Sequence, residues 1–168
     1  MLSLSRQSWL EILAEAWKVY PLEACGLLLA ESAGSGPSSS AQPSLVQPSP
    51  VQPSLDEPIK IFRPIHNAAQ SSRIFQLDPV EYMKAERVAD DAGLEVVGVM
   101  HSHTHTAAYP SPTDVAEATK PLLPPTWHWV IVSLAWGYPE LRSFRVAEGP
   151  DDWATRSGIV EERVWLNG

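Results

Sequence analysis

Residues 94–105, LEVVGVMHSHTH, decide the fold of this chain. The apolar run 94–100 has the length and composition of a buried strand. Histidines follow at positions 101, 103 and 105. Side chains at i and i+2 of an extended chain point to the same face, with Cα atoms about 6.5 to 7 Å apart. His101 and His103 can therefore converge on one metal ion.

Two residues compete for the place of a third ligand. His105 would continue the same face if the strand ran on, which would give a three-histidine site of a kind that zinc hydrolases use. Residues 107–110 (AAYP) are typical of a loop, however, so the strand is expected to break near His105. Asp114 offers a carboxylate after that loop. Two histidines and one carboxylate leave the fourth tetrahedral position open for water, as catalysis requires.

Ser111 and Asp114 also have a purely structural interpretation. Residues 111–114 (SPTD) form a good helix start, with serine as the cap, proline next and an acidic residue three positions after the cap. A His-x-His pair at a strand end is itself common. The residues alone leave a metal site and a helix cap as open alternatives.

The flanking sequence predicts an α/β fold, a mixed β-sheet flanked by helices. Apolar residues recur at helical spacing up to Tyr20, with Ser5 as cap and Pro21 as stop. Asp78 and Pro79 begin a second helix that ends near residue 93. Further strands are predicted at 25–30, 59–62, 127–134 and 141–146.

Length and composition predict one domain over residues 1–168 that contains one insertion. Residues 32–58 are rich in Pro, Ser and Gln, with Gln-Pro-Ser repeated at 42, 47 and 52, and are expected to form a disordered insertion without chemistry of its own. The pattern PxxP could recruit a partner, but a tolerated loop expansion is the simpler interpretation.

Charge and cysteine usage restrict the function classes. Twelve Lys and Arg against 20 Asp and Glu give a net charge of −8, which disfavours nucleic acid as a partner. The sequence lacks a secretory leader and a run of membrane-spanning length, so a cytoplasmic protein without membrane contact is expected. Cys25 is the one cysteine. A thiol hydrolase built on it is conceivable, but its apolar neighbours favour a buried, inert thiol.

The spacing of His101, His103, Ser111 and Asp114 resembles the signature of the JAMM (MPN-plus) zinc metallopeptidases, and 23–26 (EACG) is similar to that family's upstream glutamate motif. The similarity extends to 67–69 (NAA), 75–81 and 97–98. The resemblance implies a cytidine-deaminase-like fold and one Zn²⁺ held by His101, His103 and Asp114. It also implies Glu23 as the base that activates water and Ser111 as a donor to the oxyanion.

One departure and one further likeness refine this resemblance. The family usually has proline after the second histidine, where this chain has Thr104; the ligands are unaffected. Residues 101–104 (HSHT) and 108–111 (AYPS) resemble a bacterial subgroup that releases cysteine from the C-terminus of a ubiquitin-like sulfur carrier protein. That subgroup implies such a carrier, or a peptide, as the partner. The alternative is a non-catalytic MPN scaffold, and the oligomeric state stays open.

Overall fold

The computed structural model describes residues 1–32, 59–121, 123–146 and 158–167. These residues form three helices and eight strands. In chain order they are β1 Leu2–Ser5, α1 Arg6–Val19, β2 Cys25–Glu31, β3 Ile61–Ile65, α2 Pro79–Asp91, β4 Leu94–His103, α3 Pro112–Ala118, β5 His128–Ser133, β6 Glu140–Val146, β7 Ile159–Glu162 and β8 Val164–Asn167.

Six strands form one mixed sheet in the order β3-β2-β4-β5-β6-β7. Only β4 and β5 run parallel, and α3 lies in the connection between them. The other pairs in this sheet are antiparallel: β2 with β3, β2 with β4, β5 with β6 and β6 with β7. β1 and β8 form a separate parallel pair. The predicted class, a mixed sheet with flanking helices, is confirmed.

The helices cover opposite faces of this sheet. On one face Ile12 and Ala16 of α1 pack with Met100 and Val130 of the central strands. On the other face Ala85 and Ala89 of α2 and Ala118 of α3 join a core that also contains the following sheet residues: Leu27, Val99, Trp129, Ile131 and Phe144. His101 and His103 continue the series begun by Val99, so they lie on the face that carries α2 and α3.

Both predicted helix starts are confirmed. The Ser5 side chain accepts a hydrogen bond from the Ser8 N–H, and α1 ends with Tyr20 as its C-cap. The Asp78 carboxylate accepts from the N–H groups of Val80 and Glu81 at the start of α2. These bonds satisfy donors that a helix start otherwise leaves free.

The strands agree with the prediction in the centre of the sheet and differ from it at β3 and in the short strands. β4 extends beyond the apolar run 94–100 and ends at His103, so it breaks before His105 as expected. Residues 101–103 pair with β5, and the Ser102 N–H donates to the Ala24 carbonyl. β3 covers Ile61–Ile65 rather than 59–62, and Ile59 instead bridges Leu4. β1, β7 and β8 are four residues each, too short to show a period, and were missed. Of the predicted insertion 32–58, only Ser32 lies within the described residues.

His128 at the start of β5 is buried and belongs to an ion-pair cluster around Glu162. Its Nδ1 lies 2.6 Å from Glu162 Oε1, the Ser143 hydroxyl donates to the same oxygen over 2.7 Å, and Arg145 Nε donates to Oε2 over 2.9 Å. Burial alone would raise the pKa of Glu162, but the bonds from His128 and Ser143 outweigh it and lower the pKa from 4.5 to about 2.

We expect Glu162→Gln to lower the free energy of unfolding by about 3 kcal/mol at neutral pH. Because the folded pKa lies below the unfolded value, the contribution is present above about pH 4.5 and disappears as the pH falls towards 2. Urea unfolding of both proteins at about pH 7, 5 and 3 measures this. The difference should narrow between pH 5 and 3, and a difference independent of pH would contradict the assignment.

Candidate metal centre

Two elements bring three potential ligands together on one face of the sheet. His101 and His103 stand at the end of β4, and Asp114 lies in the first turn of α3. The two Nε2 atoms are 3.2 Å apart, Asp114 Oδ1 is 3.3 Å from His101 Nε2, and Asp114 Oδ2 is 3.3 Å from His103 Nε2. All three residues are buried. Among the described residues they form a group that could hold a metal ion.

The two Nε2 atoms are 3.2 Å apart, and each lies 3.3 Å from a different oxygen of the Asp114 carboxylate. Charge-assisted N–H···O bonds are about 2.7 to 2.9 Å long, so the hydrogen bonds between histidine and carboxylate are long ones. Bonds of about 2.0 to 2.1 Å to a tetrahedral centre place neighbouring ligand atoms about 3.3 Å apart. Two imidazoles and a carboxylate are also the donor types of catalytic zinc sites. The residues therefore fit a zinc ion.

The other ring nitrogens of the histidines have different surroundings. His103 Nδ1 lies 2.9 Å from the Ala107 carbonyl oxygen, which can only accept, so Nδ1 carries the proton and Nε2 is free to bind a metal. The His101 ring stacks on Phe75, with centroids 4.3 Å apart and planes at 17°. Its buried Nδ1 has no hydrogen-bond partner among the described residues. Stacking therefore orients His101, whereas a hydrogen bond orients His103.

Protonation of the triad sets the cost of loading a cation. Burial lowers the pKa of His101 and keeps its ring neutral, the form that binds metal. Burial also acts to lower the pKa of His103, but the bond to Asp114 raises it overall. Burial would raise the pKa of Asp114, and the bonds from both histidines hold it well below its usual range instead. A bound cation would compete with protonation of His103, so its affinity should fall as the pH is lowered.

Ser111 and Asp114 form a helix cap, and Asp114 also belongs to the buried triad. The Ser111 hydroxyl accepts a hydrogen bond from the Asp114 N–H over 3.2 Å, and the Ser111 N–H donates to Asp114 Oδ2 over 2.7 Å. This is a complete capping box. It fixes the carboxylate against the two histidines, so the helix cap contributes to the geometry of the metal site.

Glu23 lies buried just before β2. The neighbouring Ala24 N–H donates to the Ser102 hydroxyl over 2.8 Å, and the Ser102 N–H donates to the Ala24 carbonyl over 2.9 Å. Ser102, between His101 and His103, thus joins β4 to the chain just before β2. Burial raises the pKa of Glu23 from 4.5 to about 7, with His103 lowering it and Asp114 raising it by smaller amounts. A carboxylate so poised suits proton transfer near neutrality.

The rival residues are not part of this group. β4 ends at His103, and His105 is exposed and lies outside the triad, as does the exposed His66. Cys25 is buried, and burial together with the charge of Glu23 raises the pKa of its thiol to about 12. A thiol with that pKa is protonated at neutral pH and is a poor nucleophile.

Comparison with known proteins identifies the family. Residues 5–147 match the Prok-JAB family, described as prokaryotic homologs of the JAB domain. The chain belongs to the Prok-JAB family. This Prok-JAB chain is 35% identical over 139 residues to the CysO-cysteine peptidase of Mycobacterium tuberculosis. The aligned region covers 82% of this chain and 77% of the relative.

Two further relatives of the Prok-JAB chain agree with this assignment. It is 30% identical over 74 residues, 44% of each protein, to a probable TtuB-protein conjugate cleaving protease of Thermus thermophilus. The solution structure of DSY2949 from Desulfitobacterium hafniense superimposes with a TM-score of 0.72 at 28% identity, covering 99% of this chain and 93% of that one. The predicted JAMM-type family, fold and hydrolase class are confirmed. No helix in the described part of the chain is long and apolar enough to cross a membrane.

The sequence indicated the triad but not the residues that support it. Phe75, the Ala107 carbonyl and the side chain of Asn67 all contact the site or its immediate neighbours. Asn67 belongs to a stretch that the resemblance included, yet nothing in its spacing indicated a role. Its contacts depend on a loop whose path only the folded chain defines.

Proposed function

We propose that this Prok-JAB chain is a zinc metallopeptidase in which His101, His103 and Asp114 hold one Zn²⁺. The observation that carries the proposal is the buried triad, in which the two histidine Nε2 atoms are 3.2 Å apart and each lies 3.3 Å from an oxygen of Asp114. The non-catalytic scaffold is the weaker alternative. Burial of two histidines and an aspartate costs free energy, and a surface that only binds a partner does not require it.

Glu23 and Ser111 would supply two different functions to the attack on the carbonyl. A bound Zn²⁺ would lower the pKa of a water molecule and polarise the carbonyl of the scissile bond. Glu23 takes the proton of the attacking water and returns it to the leaving amine. The Ser111 oxygen already accepts from the Asp114 N–H, so its own hydrogen can be donated to the oxygen of the carbonyl as that oxygen becomes negative.

Ser111→Ala should lower kcat by about a hundredfold, because an oxyanion donor is lost. Alanine also removes the helix cap, which costs about 1 kcal/mol of stability, whereas glycine at a cap costs only a few tenths. Ser111→Gly therefore separates the two effects: it should lose the same activity with little change in unfolding free energy. Near-normal kcat in Ser111→Gly would assign the residue to capping alone.

The substrate we propose is a ubiquitin-like sulfur carrier protein with cysteine attached to its C-terminus. The name of the Mycobacterium tuberculosis relative, CysO-cysteine peptidase, supports a cysteine adduct. The name of the Thermus thermophilus relative refers to protein conjugates, so an isopeptide bond is the second substrate to test. Both substrates present the same carbonyl to the site.

The decisive assay for this function uses two substrates in parallel. The zinc-loaded chain is incubated with a sulfur carrier protein bearing one C-terminal cysteine, and with the same carrier joined to a lysine side chain. Mass spectrometry should show release of cysteine from the first, and chelator should stop it. Absence of cleavage of either substrate by zinc-loaded protein would contradict the proposal.

A further inference from the structure

A loop beside the metal centre connects β3 to α2, and we call residues 67–77 the bracing loop. Its two ends are joined by a β-bridge between Asn67 and Leu77. Phe75 near its end stacks on the ring of His101. The bracing loop therefore touches a metal ligand directly, and its shape decides where that contact falls.

The side chain of Asn67 holds the bracing loop closed from within. Its Oδ1 accepts from the N–H groups of Ala69 over 3.1 Å and Gln76 over 3.0 Å. Its Nδ2 donates to the Ile74 carbonyl over 3.1 Å and to the Glu23 carbonyl over 3.0 Å. A carboxamide offers two donors and two acceptor positions, and all four are used here. Asn67 is buried, so no water replaces these bonds easily.

The bracing loop is hydrogen-bonded to both peptide groups of Glu23. The Glu23 N–H donates to the Ser71 carbonyl over 2.9 Å, and the Glu23 carbonyl accepts from Asn67. Glu23 precedes β2, so the regular sheet ladder does not hold its peptide groups. The Ala24 bonds to Ser102 fix only the next residue. Two bonds from the bracing loop thus define the backbone from which the Glu23 side chain projects.

We infer that Asn67 is a positioning residue for Glu23, whose backbone it holds in place beside the metal centre. This inference rests on the proposed function of Glu23. The side chain of Asn67 links the bracing loop to the backbone of Glu23. Replacement of Asn67 should therefore shift the Glu23 carboxylate without removing any residue of the triad. A misplacement of about 1 Å can cost about a hundredfold in rate.

Asn67→Asp tests the donor half of this arrangement. Aspartate keeps both acceptor contacts to the loop N–H groups, but it loses the N–H bonds to the Glu23 and Ile74 carbonyls and places an oxygen against them. We expect kcat for the cysteine adduct to fall about ten- to hundredfold, with KM changed by less than about threefold and zinc content unchanged. Asn67→Ser, which adds no charge, is carried in parallel so that the test survives if the aspartate variant does not fold.

A double-mutant cycle with Glu23→Gln separates positioning from general weakening of the fold. If Asn67 acts through Glu23, its replacement should not lower the residual rate of Glu23→Gln further. Ser143→Ala, which removes a buried hydrogen bond of the remote Glu162 cluster, controls for stability and should keep kcat. Additive losses in the cycle, or an unchanged kcat in Asn67→Asp, would overturn the inference alone. Full activity in Glu23→Gln would instead overturn the proposed base, and with it the inference.

Discussion

Glu23→Gln is expected to abolish turnover while leaving the metal in place. Glutamine has nearly the same shape as glutamate but cannot take a proton from water, so kcat should fall about a thousandfold to ten-thousandfold. Glu23 is not a member of the ligand triad, so zinc content should stay at about one per chain. Steady-state release of cysteine from the carrier adduct, together with elemental analysis of the same sample, measures both.

The matched control for this variant is Glu31→Gln. Glu31 lies at the far end of β2 and is exposed, so the same chemical change there should leave kcat unchanged. If Glu23→Gln kept nearly full activity, another group would be the base. If it lost zinc together with activity, Glu23 would act as a ligand rather than as a base.

His103→Ala should lose both activity and stabilisation by zinc. Free zinc at about a hundred times its Kd stabilises a folded binder by about 2.7 kcal/mol, and removal of a ligand abolishes that gain. The midpoint temperature of thermal unfolding should therefore rise markedly with added zinc in wild type, whereas it should stay unchanged in His103→Ala. Cysteine release by His103→Ala should fall to the background rate.

His105→Ala is the control and also tests the rival three-histidine site. His105 is exposed and lies outside the buried triad, so its replacement should change neither the zinc-dependent stabilisation nor kcat. Loss of zinc stabilisation in His105→Ala, with retention in His103→Ala, would contradict the proposed ligand set.

The central strand and its two histidines could be predicted because their signal is local. An apolar run predicts a buried strand, and His-x-His places both histidine side chains on the same face of that strand. The end of β4 is buried up to its last residue, His103. Asp114 is different. Helix capping and metal binding predict the same residues at 111–114, so only the resemblance favoured the ligand role, and the structure shows that the capping box and the triad coexist.

The supporting contacts could not be predicted from the sequence because they join distant segments through single side chains. Asn67 reaches Glu23 across 44 positions in the chain. His128 and Glu162 are 34 positions apart, and β7, which carries Glu162, is too short to show a periodic pattern. Such pairs become visible only when the sheet order β4-β5-β6-β7 is known.

Zinc bound by the triad is measured as the zinc content of the purified, metal-replete protein. Elemental analysis is made on wild type and on the His103→Ala and Asp114→Ala variants, each confirmed to be folded. We predict about one zinc per chain in wild type and almost none in either variant. A folded wild type without zinc, or variants that retain a full equivalent, would contradict it.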